Sequence, residues 1–254
     1  MSAKNPKSDT SYYDHSLYKR AVIRPLARAV APILHSLGFS AHGVGWLKLI
    51  VGLTGAALLA SKQAWVGLAG MVLLQVNFLL DAADGDVARL AGTTGKLSGE
   101  FIDKLFDHLP KTAMYFLWGY GTFRLTGSEV PLFLGAFFAA WNIYPRFCGV
   151  EVLLERLDKA PQVYQKEAFQ RALGGAFVTS SQRGRADYWL ILLVHPAINL
   201  ITLAFIIEIY IPTFSFGGES YHTRYALLLT YTLVGIINFL RKGVRYYRML
   251  DFGD

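Results

Sequence analysis

Four aspartates in two short groups are the residues of this chain that are best placed to do chemistry. Asp81 and Asp84 are three positions apart, and Asp103 and Asp107 are four positions apart. On a helix, both spacings place the two carboxylates of a pair on the same face. Gly92 lies between the two groups and favours a turn between two antiparallel helices. The spacing therefore predicts that four carboxylates converge between two neighbouring helices.

Four carboxylates in one poorly hydrated place repel one another unless cations neutralise them. Carboxylate oxygens suit hard divalent ions such as Mg²⁺ or Mn²⁺, and the pattern contains no Cys or His that would favour zinc. Two such ions would clamp a pyrophosphate and stabilise the charge that develops during phosphoryl transfer. The residue types therefore predict a site for divalent metal and a phosphorylated substrate.

Small residues accompany the aspartates at helical spacing. Gly85 and Ala88 each lie four positions after one of the first two aspartates, and Gly99 lies four positions before the third. Since these side chains are short or absent, a ligand can approach the backbone on the face that carries the carboxylates. The pattern predicts an open surface beside the acidic groups.

The elements that must position these residues are long and apolar. The chain of 254 residues is 53% hydrophobic and only 17% charged, which is typical of an integral membrane protein. Each apolar stretch is long enough to cross about 30 Å of hydrocarbon. We predict six spans, at 43–60, 64–83, 99–123, 128–149, 187–211 and 223–243.

The segment 14–38 precedes these spans and is amphipathic. Its apolar face holds Val22, Ile23, Leu26, Val30, Ile33, Leu34 and Leu37, and the opposite side holds Arg20, Arg24 and Arg28. Such a helix lies in the membrane interface, although Pro25 and Pro32 are expected to interrupt it. The predicted fold is a single all-α integral membrane domain over 1–254, with an interfacial helix followed by a six-span bundle over 43–243.

The net charge of +7 comes largely from Lys and Arg at the ends of apolar runs, which favours a membrane surface over nucleic acid. Six spans put both termini on one side, and that side also receives most of these positive charges. The positive-inside rule therefore predicts that the termini and the aspartates face the cytoplasm.

The acidic string resembles the signature of the CDP-alcohol phosphotransferase family, Asp-x2-Asp-Gly-x2-Ala-Arg followed by Gly-x3-Asp-x3-Asp. The eight signature positions are filled by Asp81, Asp84, Gly85, Ala88, Arg89, Gly99, Asp103 and Asp107. The resemblance implies a transferase of phospholipid biosynthesis. It would move a phospho-substituent from a CDP-linked donor to an acceptor hydroxyl and release CMP. The resemblance also implies a homodimer whose site opens to the cytoplasm and to lipid.

The same resemblance implies roles for single residues. Asp81, Asp84 and Asp103 would hold two Mg²⁺ or Mn²⁺ ions. Asp107 would be the general base for the acceptor hydroxyl and would also be a metal ligand. The CDP group would lie against Asp84, Gly85, Ala88, Arg89 and Gly99.

Two kinds of donor stay open: CDP-diacylglycerol used with a polar alcohol, and a CDP-linked head group used with a lipid alcohol. Asp86, directly after Gly85, slightly favours the second kind. Further candidates for binding phosphate or the acceptor are Arg146, Arg183, Arg185 and Arg241, although anchoring a helix end to lipid phosphates is the simpler role for any one of them.

A cation transporter is the main alternative, because it too would use membrane aspartates. It would distribute its acidic groups through the membrane depth or break its helices in repeated halves. Here the acidic groups lie together at one end of two predicted spans. A prenyl-type transferase has differently spaced aspartates, and an inactive relative would not need all four. The sequence therefore favours the CDP-alcohol transferase.

Overall fold

The computed structural model describes residues 18–92, 97–140 and 197–250. Within these residues the chain is mostly helical, with seven α-helices and one β-hairpin. A π-helical turn, Lys19–Ile23, leads into α1 (Arg24–Ser36), which is followed by α2 (Ala41–Leu58), α3 (Ala64–Leu90), α4 (Leu97–Thr126) and α5 (Val130–Ala140). The second part contains α6 (Ala197–Tyr210), β1 (Thr213–Phe216), β2 (Glu219–His222) and α7 (Thr223–Leu250).

A helix is found at the place of each predicted span. Among the described helices, α2 and α3 are long and apolar enough to cross a membrane. The helices α5 and α6 and the first part of α7 are apolar but shorter. The helix α4, at the place of the predicted span 99–123, is long but is not among the helices that are apolar enough to cross a membrane. The predicted spans 128–149 and 187–211 extend outside the described residues, so the count of six stays a prediction.

Local signals in the sequence explain where α2 begins and α3 ends. The Ser40 side chain accepts a hydrogen bond of 3.1 Å from the Gly43 N–H, which caps the first turn of α2. The helix α3 ends before Gly92, whose φ of 65° is readily adopted only by glycine. The turn predicted at Gly92 is therefore confirmed.

The helices α2 and α3 form an antiparallel pair whose backbones approach closely at two glycines. A Cβ atom on Gly70 would lie 2.5 Å from the carbonyl oxygen of Gly55 and 2.9 Å from the Cβ atom of Leu58. Such small residues let membrane helices pack backbone against backbone. Further packing joins α2 to α4, α1 to α3, α3 to α6 and α6 to α7.

The amphipathic segment divides its apolar residues between two surfaces. One surface packs against α3 and buries Ile23, Ala27, Ala31 and Leu34. On the other surface Val22, Leu26, Ile33 and Leu37 are between 39% and 68% exposed. Pro25 lies where the π-helical turn gives way to α1, and Pro32 lies inside α1. The backbone keeps helical dihedral angles at Ile23 and Arg24, so the chain passes from the π-helical turn to α1 without a break. The expectation that the two prolines interrupt the segment is therefore wrong.

A short hairpin between α6 and α7 corrects the prediction of an all-α fold. Its strands β1 and β2 are antiparallel, with Thr213 opposite His222 and Phe216 opposite Glu219. Gly217 and Gly218 form the connection, with φ values of 62° and 87°. Two successive residues with positive φ make a tight turn that matches the twist of a hairpin, so the chain pairs here instead of continuing as a loop.

A buried ion pair closes the end of the bundle at which α2 connects to α3. The Arg224 guanidinium donates hydrogen bonds of 2.8 Å to both carboxylate oxygens of Glu208. It also donates to the main-chain carbonyls of Ser61 and Lys62, at 2.6 and 3.3 Å. Phe205 lies 4.9 Å from the guanidinium. One arginine of α7 therefore holds α6 and the α2–α3 connection together.

Replacing Glu208 should destabilise the protein, because Glu208→Leu leaves the buried guanidinium without its counter-charge. Breaking a buried ion pair in this way costs about 3–5 kcal/mol. Thermal unfolding in detergent should show a clear loss for Glu208→Leu. It should show little change for Glu219→Leu, which alters an exposed acid of β2. Equal unfolding temperatures for the two variants would contradict the structural role of the pair.

Candidate functional site

The site lies where the first half of α2, the end of α3 and the first half of α4 meet. Its centre is the ammonium group of Lys48, a residue two turns into α2 that has no exposed side-chain surface. One carboxylate oxygen from each of four aspartates surrounds this nitrogen. The Nζ–Oδ distances are 3.0 Å for Asp81, 3.1 Å for Asp84, 2.7 Å for Asp103 and 2.8 Å for Asp107.

The four carboxylates converge as their spacing predicts. Asp81 and Asp84 project from the last turns of α3, and Asp103 and Asp107 project from α4; both helices pack against α2. Both pairs point to the same ammonium, so the convergence involves three helices, where the sequence predicted two. The two aspartate pairs are thus joined through a residue of α2.

The donor set of the cluster suits a divalent metal ion. Oxygens of Asp81, Asp103 and Asp107 lie within 4.8 Å of one another, which is close enough for one ion to contact all three. Asp84 adds a fourth oxygen on the same ammonium. All donors are carboxylates, the ligand type that Mg²⁺ and Mn²⁺ prefer. Because Lys48 brings one positive charge to four carboxylates, the cluster can accommodate further positive charge.

Lys48 is the residue of the site that sequence analysis missed. A signal for it exists, because Lys48 is a charged residue inside the predicted span 43–60. An ionisable group at such a position is costly in a membrane and usually has a partner or a function. Its neighbours in the sequence did not reveal that partner, since the four aspartates lie 33 to 59 positions further along the chain.

The main chain at Lys48 is held by contacts among the same three helices. The Asn77 side chain of α3 donates a hydrogen bond of 2.8 Å to the carbonyl oxygen of Lys48. One turn later, Gly52 provides room for both neighbours. A Cβ atom there would lie 2.6 Å from Asn77 Nδ2 and 2.8 Å from the Cβ atom of Pro110 in α4. Gly52 therefore allows the approach of helices that brings Lys48 to the aspartates.

An open patch on α3 lies next to the acidic cluster. A Cβ atom on Gly85 would have no neighbour nearer than the Arg89 guanidinium nitrogens, at 3.8 Å. Arg89 is 55% exposed and forms an ion pair with Asp86, one turn earlier on the same helix. Ala88 is half-buried, and Gly99 lies in the first turn of α4. The patch is thus bordered by an arginine that solvent can reach.

The structure does not test the four arginines that the sequence suggests for binding phosphate or the acceptor. Arg146, Arg183 and Arg185 lie outside the described residues. Arg241 lies on α7, beyond the apolar part of that helix, Thr223–Ile237. The predictions that these four residues bind phosphate or the acceptor stay predictions.

A family model described as CDP-alcohol phosphatidyltransferase matches residues 44–207, which is more than half of the chain. The matched range contains Lys48 and the whole of α3 and α4, and therefore the entire acidic cluster. No curated protein sequence matches the chain. The family match agrees with the resemblance in the signature residues and favours a transferase over a cation transporter.

Enlarging Gly52 should loosen the junction of α2, α3 and α4. Gly52→Ala forces the new methyl group against Asn77 and Pro110, and such overpacking costs about 1–3 kcal/mol. Gly43→Ala is the matched control on the same helix, because its Cβ atom would meet its nearest neighbours at 3.5 and 3.6 Å, which are ordinary contacts. Thermal unfolding in detergent should show a lower midpoint for Gly52→Ala only. Equal midpoints would show that the close approach is dispensable.

Proposed function

The chain belongs to the CDP-alcohol phosphatidyltransferase family, which is a family of phosphotransferases, and on this premise we propose the reaction that it catalyses. A phospho-substituent passes from a CDP-linked donor to the hydroxyl of an acceptor alcohol, and CMP is released. The convergence of four aspartates from α3 and α4 is the observation that carries this proposal. The reaction belongs to phospholipid biosynthesis, with one of the two substrates a lipid.

The metal-binding residues in this proposal are Asp81, Asp84, Asp103 and Asp107. Together they would hold two Mg²⁺ or Mn²⁺ ions, whose charge stabilises the pyrophosphate of the donor. The possible metal ligands of this cluster are carboxylates, and oxygens of three of them lie within reach of one ion. The all-oxygen donor set supports Mg²⁺ or Mn²⁺ over softer metals.

Asp107 is the proposed general base. As the acceptor oxygen forms a bond to the phosphorus that carries the transferred group, the bond from that phosphorus to the bridging oxygen breaks, and CMP leaves with that oxygen. The acceptor proton passes to a carboxylate oxygen of Asp107. The side chain of Asp107 is 18% exposed and so reaches the surface of the cluster. A base must lie within hydrogen-bonding distance of the hydroxyl, which this position allows.

The CDP part of the donor is proposed to lie against Asp84, Gly85, Ala88, Arg89 and Gly99. The open face at Gly85 lets a flat base or ribose approach the backbone of α3. Arg89 is more than half exposed and can turn from Asp86 to a phosphate oxygen, where its guanidinium forms charge-assisted hydrogen bonds. In this proposal the nucleotide lies beside the metal-binding carboxylates.

The membrane setting follows from the apolar helices. We propose six spans, an interfacial α1, and termini and active site on the cytoplasmic side, with the protein acting as a homodimer. Two helices long enough to cross a membrane, and the exposed apolar residues of α1, support this setting. Either donor type fits it. The lipid is the donor if CDP-diacylglycerol is used, and it is the acceptor if the head group is CDP-linked.

Removing the proposed base should abolish the reaction. Purified protein is assayed for CMP release with Mg²⁺ or Mn²⁺, a panel of CDP-linked alcohols and matching acceptors. Asp107→Asn should lower the rate by at least about a hundredfold, the usual contribution of a general base. Glu129→Gln, an exposed acid beyond the end of α4, should keep the wild-type rate. Chelation should stop wild-type turnover and added metal should restore it. Full activity of Asp107→Asn would refute the assignment.

Gly85→Ala should separate donor binding from stability. The new methyl group meets no protein atom closer than ordinary contact distance, and alanine is favoured over glycine in a helix by about 0.5–1 kcal/mol. Thermal stability should therefore be unchanged or slightly higher. The KM for the CDP-linked donor should rise by about tenfold, equivalent to about 1.4 kcal/mol of lost binding. An unchanged KM would exclude a close approach of the donor to Gly85.

A further inference from the structure

We infer that Lys48 is a built-in cation that occupies the place of the divalent metal and must leave it when metal binds. This inference rests on the proposed metal site, and it assigns Lys48 a role as a positioning residue. In the metal-free protein the ammonium holds the four carboxylates together. In the metal-bound protein the carboxylates would be held together by the metal ion instead. Lys48 thus competes with the metal for one set of oxygens.

The Lys48 ammonium and a metal ion bound to the same carboxylate oxygens would use the same space. The Lys48 nitrogen lies 2.7–3.1 Å from one oxygen of each aspartate. An ion bound to these oxygens at roughly 2.1 Å, the distance that Mg²⁺ prefers, would have to lie inside the space that the ammonium fills. An ammonium group has three protons and four acceptors surround it here, so it acts as a central charge and not only as a hydrogen-bond donor.

The burial of Lys48 explains why the ammonium lies in the cluster. The side chain has no exposed surface, and an unpaired buried charge is strongly destabilising. Equally, four neighbouring carboxylates would repel one another without a cation. The lysine and the aspartates therefore stabilise each other as long as no metal is bound.

Only the side chain of Lys48 has to move when the metal enters. Its main chain is held by the hydrogen bond from Asn77 and by the close packing at Gly52. A lysine carries its charge on a flexible four-carbon stem, so the ammonium can change position without moving α2. The movement keeps the lysine charged and needs no proton transfer.

Competition of this kind lowers the apparent affinity for metal. If only a fraction of the metal-free protein has the ammonium withdrawn, the observed dissociation constant is raised by the inverse of that fraction. Removing the charge of Lys48 should therefore tighten metal binding. It should also destabilise the metal-free protein, because the aspartates lose the positive charge at their centre.

The test compares Mn²⁺ binding by wild type, Lys48→Met and Lys48→Gln, each prepared metal-free in detergent. Calorimetric titration should show binding at least about tenfold tighter for both variants, which corresponds to an ammonium withdrawn in no more than about a tenth of wild-type molecules. The metal-free variants should unfold at lower temperature than wild type. Their midpoints should gain more on adding Mn²⁺, since tighter binding gives greater stabilisation.

Lys104→Met is the matched control. Lys104 lies between Asp103 and Asp107 in the sequence, and its side chain is exposed on another face of α4. The change removes the same charge near the cluster without emptying its centre. It should alter Mn²⁺ affinity much less than either Lys48 variant.

Each outcome decides the inference. Wild type that binds Mn²⁺ as tightly as the Lys48 variants, or more tightly, overturns the inference and leaves the proposed metal site intact. Absence of binding in all proteins overturns both. Lys48 variants that fold only when Mn²⁺ is present support the inference, because the ion then replaces the ammonium. Variants that fail to fold even with Mn²⁺ contradict it, since a displaced lysine would be dispensable.

Discussion

The contact between the Lys48 ammonium and four carboxylates is the interaction on which the arrangement of α2, α3 and α4 depends. A charge without exposed surface is tolerated only if opposite charges surround it, and these come from two other helices. The requirement sets the register of α2 against α3 and α4. The close approach at Gly52 and the hydrogen bond from Asn77 serve this register.

A second buried cation, Arg224, lies at the other end of the same bundle, and its surroundings differ from those of Lys48. The Arg224 guanidinium is rigid and planar, and it donates four hydrogen bonds, two to Glu208 and two to main-chain carbonyls. Such a group suits a permanent connection between helices. Lys48 carries a compact charge on a flexible stem amid more acceptors than it has protons. The ion pair at one end of the bundle is suited to a permanent contact, whereas the ammonium at the other end is suited to the proposed exchange with a metal ion.

Much of the fold and of the site could be predicted because the signals are local. The three- and four-residue spacings of the aspartates determine the helix face, and the turn at Gly92 needs only a glycine. The hairpin is not predicted although Gly217 and Gly218 are a turn signal, because its strands lie in the short connection between the predicted spans 187–211 and 223–243. The pairing of Glu208 with Arg224 was also missed, since nothing in the sequence relates two charges on separate helices.

The sequence by itself determined the acidic signature, its family and the helices that carry it, because each depends on residue types at short separations. Only the tertiary structure decided what stands at the centre of the four carboxylates. Lys48 lies 33 positions before the nearest of them, and its partners become visible only when α2 packs against α3 and α4. Contacts between residues far apart in the chain depend on how the helices pack, and short-range sequence patterns do not predict that packing.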